Sequence, residues 1–84
     1  MVVKGDEFMK PEIRKENRLQ LLEELYEYYF KNNGNPKAIN TKDNFELSHA
    51  INYLRLKQWI TDDCQYDDHN VTITFDGMDV IESR

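Results

Sequence analysis

Apolar residues recur at two different periods along this chain, and the change of period separates helical from extended segments. Leu19, Leu21, Leu22, Leu25, Tyr26, Tyr28, Tyr29 and Phe30 return at three- and four-residue steps, the repeat of an α-helix. Pro11 suits a first helical position, Glu12 and Glu16 favour the positive end of a helix dipole, and Lys31 favours the negative end. A helix is therefore predicted from Pro11 or Glu12 to Lys31, stopped by Asn32-Asn33-Gly34-Asn35-Pro36. At 100° per residue its apolar side chains cover about 200°, wider than the stripe of about 100° that one buried face needs. The surplus, Leu21 and Tyr28, is expected to meet a second surface such as a homodimer seam. The other reading is that the tyrosines cap the core edge with their hydroxyls in water.

Lys37-Ala38-Ile39-Asn40 reads as a short strand, and Thr41 as the N-cap of a brief helix ending at Asn44 or Phe45. A third helix is predicted from about Glu46 to Lys57, with Leu47, Ala50, Ile51 and Leu54 within about 100° of one another. Trp59 and Ile60 lead into a hairpin. Cys64 and Tyr66, then Val71, Ile73 and Phe75, alternate with polar neighbours at period two, so one face is expected to be buried and one wet. Asp67-Asp68-His69-Asn70 is the expected turn. Asp76 is the expected cap of a last helix over Gly77 to Ser83, with Met78 and Ile81 inward. The predicted core unites Leu22, Leu25, Tyr29, Ile51, Leu54, Ile60, Ile73, Phe75 and Ile81. Residues 1–10 repeat at neither period and read as a loose arm before a domain over residues 11–84. Met9 is a possible second start.

Within this order one stretch resembles a known family. Ile51, Leu54, Trp59 and Ile60 match the end of the third helix in the winged helix-turn-helix, with Gln58 where the family usually has glycine. Ile73-Thr74-x-x-Gly77 is similar to the end of the wing in small YjcQ-type winged-helix proteins of Gram-positive bacteria and their phages or mobile elements. The resemblance covers about Glu12 to Ser83. It implies an α+β winged helix: a three-helix core, a small antiparallel β-hairpin wing and a short C-terminal helix. It also implies that the third helix enters the DNA major groove while the wing touches the backbone.

Composition bounds the partners. Eighty-four residues bury roughly 60–65% of the unfolded surface, enough for one modest core. The single cysteine, Cys64, excludes an internal disulfide and fits a reducing cytoplasm. No apolar run approaches the roughly 20 residues of a membrane span, and the first residues lack a signal-peptide core, so no membrane partner is expected. The net charge of −5 is unevenly spread. Residues 1–60 carry ten Lys/Arg against nine Asp/Glu, whereas residues 61–84 carry seven Asp/Glu against Arg84 alone.

Two function classes follow. The outward face of the third helix offers Ser48, His49, Asn52 and Arg55, and asparagine to adenine and arginine to guanine are common direct-readout pairs. Lys42 and Lys57 are candidate phosphate contacts, with Lys37, Arg14, Lys15 and Arg18 behind them. This is the expectation of a DNA-binding, transcription-regulatory protein contacting duplex DNA. Against it, the wing carries Asp62, Asp63, Asp67 and Asp68 and no cation, where phosphate neutralisation calls for Lys or Arg. Tyr53 and Leu56 on the third helix, and Leu21 and Tyr28 on the first, offer an apolar and aromatic surface to a protein partner or a second copy. The alternative is thus an acidic winged-helix interaction module, an adaptor or DNA mimic, that does not bind DNA. No catalytic motif, phosphate loop or calcium loop is present, and Cys64, His49 and His69 fall short of a zinc pattern. The expectation is a non-enzyme with no cofactor and no metal.

Overall fold

The computed structural model describes residues 10–84; the expected arm over residues 1–10 and the question of Met9 lie, Lys10 apart, outside the described residues. The chain runs through α1 (Pro11–Lys31), β1 (Lys37–Asn40), α2 (Phe45–Leu56), β2 (Ile60–Gln65), β3 (Asp68–Ile73) and α3 (Phe75–Glu82). Over the described residues it is an α+β arrangement of three helices and one three-stranded antiparallel sheet in the order β1-β3-β2.

Helix α1 forms because its 21 residues are mostly straight-chain or leucine, with Ile13 its one β-branched residue. Past Lys31 the chain turns left-handed at Asn33 (φ 55°) and Gly34 (φ 81°). The Gly34 amide then bonds back to the Tyr29 carbonyl at 2.8 Å. Part of the wide apolar arc of α1, Leu21, Leu22 and Leu25, is buried within the chain, because α1 packs against α2, α3 and β3, while Phe30 stays 59% exposed. Leu21, proposed above for a partner surface, is a core residue 9% exposed. Tyr28 is half-buried with the Lys37 ammonium 4.8 Å from its ring centroid. Leu21 thus belongs to the core of its own chain, whereas the half-buried Tyr28 sits at the core edge, as the second reading of the surplus expects.

The core is Leu21, Leu22, Leu25, Ala50, Ile51, Leu54, Ile60, Val71, Ile73 and Met78, with Tyr29 and Ile81 packed on its border. Phe75 is a correction. It begins α3 instead of ending the strand and stands 77% exposed. The reason is Thr74, whose hydroxyl accepts the Gly77 amide at 3.1 Å and caps the helix two residues before Asp76, the expected cap. The brief helix after Thr41 is a second correction. Asp43 is left-handed (φ 58°), only a turn forms, and Asn44 caps α2 through the Leu47 amide at 3.1 Å. Third, the hairpin turn is the pair Tyr66-Asp67, closed by Gln65 opposite Asp68. Tyr66 sits at φ 58° and is 91% exposed, so it leaves the buried row, and His69 belongs to β3.

Helix α2 ends as a glycine-type stop without glycine. Gln58 adopts φ 66°, its amide bonds to the Arg55 carbonyl at 2.9 Å, and the Trp59 amide bonds to the Leu54 carbonyl at 3.0 Å. Thr74 supports this corner twice more, its amide meeting the Trp59 carbonyl at 2.9 Å and its hydroxyl meeting the Gln58 carbonyl. Gly77 lies so close that a Cβ there would overlap the Trp59 carbonyl oxygen and come within 2.8 Å of Ile73 Cγ1. That close approach is why the position is glycine.

Candidate functional site

The period-two alternation of the hairpin continues further than its apolar residues. On β3 the inward row is His69, Val71 and Ile73, all buried, and on β2 it is Ile60, Asp62 and Cys64. The half nearest the core is aliphatic. The half nearest the turn is polar, with Cys64 directly opposite His69 and Asp62 diagonal to it. His69 Nδ1 lies 2.7 Å from Asp62 Oδ2, with side chains 8% and 5% exposed respectively. The carboxylate can only accept, so Nδ1 donates to it, and a neutral ring then carries its lone pair on Nε2. Nε2 lies 3.1 Å from Thr41 Oγ1 and 3.9 Å from Cys64 Sγ. The other carboxylate oxygen, Asp62 Oδ1, is buried and has no hydrogen-bond partner among the described residues.

This polar end forms one wall of a groove of about 600 Å³. Asp62, Asp63, Cys64 and His69 line that wall, and Phe45, Ser48, His49, Asn52 and Arg55 line the opposite one on α2. Four of the residues expected to read DNA, Ser48, His49, Asn52 and Arg55, are therefore brought together, but they face carboxylates. Arg55 donates to the Asn52 side-chain oxygen, so the two share a hydrogen bond on the helix surface. Lys42 and Lys57 do not line the groove. Lys57 sits beyond the end of α2, its ammonium 5.6 Å from the Tyr53 ring centroid and 6.0 Å from that of Trp59. Arg18 lies 3.9 Å from the Tyr53 ring centroid, so Tyr53 is half-buried beneath cations and is not a free aromatic anchor. Leu56 is 67% exposed.

The remaining cation near α2, Arg14, is held by Glu46 in a two-pronged pair at 3.1 and 2.9 Å. The hydrogen bond from Arg14 holds the Glu46 carboxyl below its ordinary range. Partial desolvation opposes this, and the charges of Arg14 and His49 assist it. At the opposite wall, desolvation and then Asp62, Asp67 and Asp63 push the Cys64 thiol up, with Arg55 pulling weakly the other way. The Cys64–His69–Asp62 alignment thus resembles a nucleophile, base and orienting acid in connectivity, yet its surroundings disfavour the thiolate relative to an ordinary cysteine.

Asp62, His69 and Thr41 were not among the site candidates. One signal was legible: His69 continues the same alternation as Val71 and Ile73, which assigning it to the turn concealed. Among the described residues no helix is long and apolar enough to cross a membrane. Comparison with protein-family models, with curated proteins and with solved structures found no match to this chain.

Proposed function

We propose that this protein is a small, non-enzymatic recognition module of winged-helix type, in which the groove between α2 and the β2–β3 wing accepts a cationic segment of a partner protein. The order of elements, the exposed α2 and the left-handed stop at Gln58 support the winged-helix reading. One observation carries the choice of partner: Asp62 and Asp63 form the wall facing Ser48, Asn52 and Arg55. A nucleic-acid backbone seated against α2 would bring phosphates towards that wall. Like unit charges at 4 Å cost about 4 kcal/mol near a protein surface. Arg14 is paired with Glu46, and of the residues lining the groove Arg55 is the one lysine or arginine that could offset that repulsion. A lysine or arginine side chain of a partner meets the opposite situation, the exposed Asp63 carboxylate across from hydrogen-bonding groups of Ser48 and Asn52.

The second reading is a DNA-binding regulator, favoured by the shared row of Ser48, Asn52 and Arg55 on the exposed helix face. Fluorescence anisotropy at low salt separates the two, using a labelled arginine-rich peptide and a labelled random-sequence duplex. The interaction reading expects the peptide to bind, Asp63→Asn to weaken it, and the duplex to stay free. Duplex binding that Arg55→Ala weakens and Asp63→Asn strengthens would instead establish the DNA reading, since phosphate attraction is strongest at low ionic strength.

A further inference from the structure

The polar end of the hairpin contains three groups of metal-ligating chemistry in one place. One ligand atom from each of Asp62, Cys64 and His69 lies within 4.8 Å of the others. In a tetrahedral zinc site, with Zn–S about 2.3 Å and Zn–N about 2.0 Å, sulfur and nitrogen ligands stand about 3.5 Å apart. Cys64 Sγ and His69 Nε2 are 3.9 Å apart, so a small rotation of the exposed cysteine closes the difference.

A second, independent observation points to a cation. The Asp62 side chain is 5% exposed and its Oδ1 has no donor among the described residues, although its Oδ2 is engaged by His69. A buried carboxylate with an oxygen lacking a donor is costly, and a positive charge held on the far side of the His69 ring offsets part of that cost. The His69 ring is also already oriented as metal-binding histidines are, its Nδ1 donating to a carboxylate so that Nε2 faces the thiol. Thr41 Oγ1 now shares Nε2, but the Asp67 carbonyl at 3.4 Å gives that hydroxyl another acceptor when Nε2 is taken.

We infer that Asp62, Cys64 and His69 form a binding site for a zinc-class divalent cation. Cys64 Sγ and His69 Nε2 are direct ligands. Asp62 is a positioning residue that orients His69 through Oδ2, and the remaining positions open into the groove. A thiolate and an imidazole select zinc or cobalt over magnesium or calcium. A bound ion would offset the Asp62 charge and leave Asp63 as the free carboxylate of that wall, so the inference stands whichever partner occupies the groove.

The test is a titration of the full chain with cobalt(II) alone, then with zinc(II). Because the chain has one cysteine, any thiolate-to-cobalt charge-transfer band reports Cys64. The expected result is one equivalent of cobalt giving that band in a monomer, with zinc abolishing it and excess magnesium leaving it intact. Cys64→Ser removes the band, and Asp62→Asn weakens zinc binding by about 10–100-fold. Circular dichroism establishes that each variant remains folded. If Asp62→Asn unfolds, Cys64→Ser, at an exposed position, decides alone. Absence of the band and of zinc binding heat overturns the inference, as does zinc affinity unchanged in Cys64→Ser. Half-equivalent binding with dimerisation in sedimentation also overturns it, because the ion would then bridge two chains.

Discussion

The hydroxyl of Thr74 donates to the carbonyl of Gln58 at 2.7 Å, tying the left-handed stop after α2 to the residue that caps α3. The same oxygen accepts the Gly77 amide, so one side chain stabilises a left-handed stop and a helix start together. Replacing it by valine keeps the shape and removes both bonds. Thr74→Val is expected to destabilise by about 1–2 kcal/mol, the upper part of the range for a lost N-cap. Urea denaturation followed by circular dichroism measures it, and an unchanged midpoint would refute the double role.

Gln58 holds φ 66°, which glycine adopts without a Cβ clash. Gln58→Gly is therefore expected to stabilise the chain by about 0.5–1 kcal/mol, less than the full strain because glycine also frees the unfolded state. A lowered urea midpoint would contradict this.

Gly77 offers the reverse case. With the Trp59 carbonyl already against its Cα, Gly77→Ala forces apart α3 and the start of β2. Overpacking of this kind costs about 1–3 kcal/mol, and a value near the top is expected because the obstacle is backbone. A melting temperature equal to that of the parent would show that the corner yields freely.

Leu54 is 0% exposed at the contact of α2 with the core. Leu54→Ala is expected to cost about 2–5 kcal/mol, a large share of the stability of a small fold. Thermal unfolding that leaves the midpoint unmoved would remove Leu54 from the core.

The Arg14–Glu46 pair gives a pH dependence of defined sign. The Glu46 carboxyl is lowered in the folded chain, so the pair's contribution is present above the ordinary glutamate range. It is lost as pH falls through the lowered value. The melting temperature of Glu46→Gln should therefore lie below that of the parent at neutral pH and converge with it in acid. Both side chains are about one third exposed, so the gap is expected to be small and to shrink in salt.

How much of this was legible follows from which interactions are local. The bounds of α1 could be read because Pro11, Lys31 and the Asn-Gly-Asn-Pro run act within a turn or two of their own positions. The stripe of Ala50, Ile51 and Leu54 was legible for the same reason. The wide arc of α1 was visible, but sequence could not say that Leu21 within it is covered by elements of the same chain. The polar end of the hairpin was the largest loss. Asp67-Asp68-His69-Asn70 has turn composition, and only the two-residue connection at Tyr66-Asp67 draws His69 inward to meet Asp62 and Thr41, 7 and 28 positions away. Local composition outvoted a long-range contact that it does not encode. Gln58 is the instructive middle case: the motif located the helix end, and tertiary support from Thr74 let a non-glycine residue hold it.

The strand order carries a consequence for synthesis. β3 is the middle strand and the last to leave the ribosome, so β1 and β2 emerge before the strand that pairs with either. During that interval α1 can coil on its own, while two strands offer open hydrogen-bonding edges to neighbouring nascent chains. β1 is only four residues long, and β2 bears Asp62 and Asp63, whose charges oppose stacking of one copy on another. The carboxylates that line the groove in the finished protein thus also guard the unfinished one against self-association.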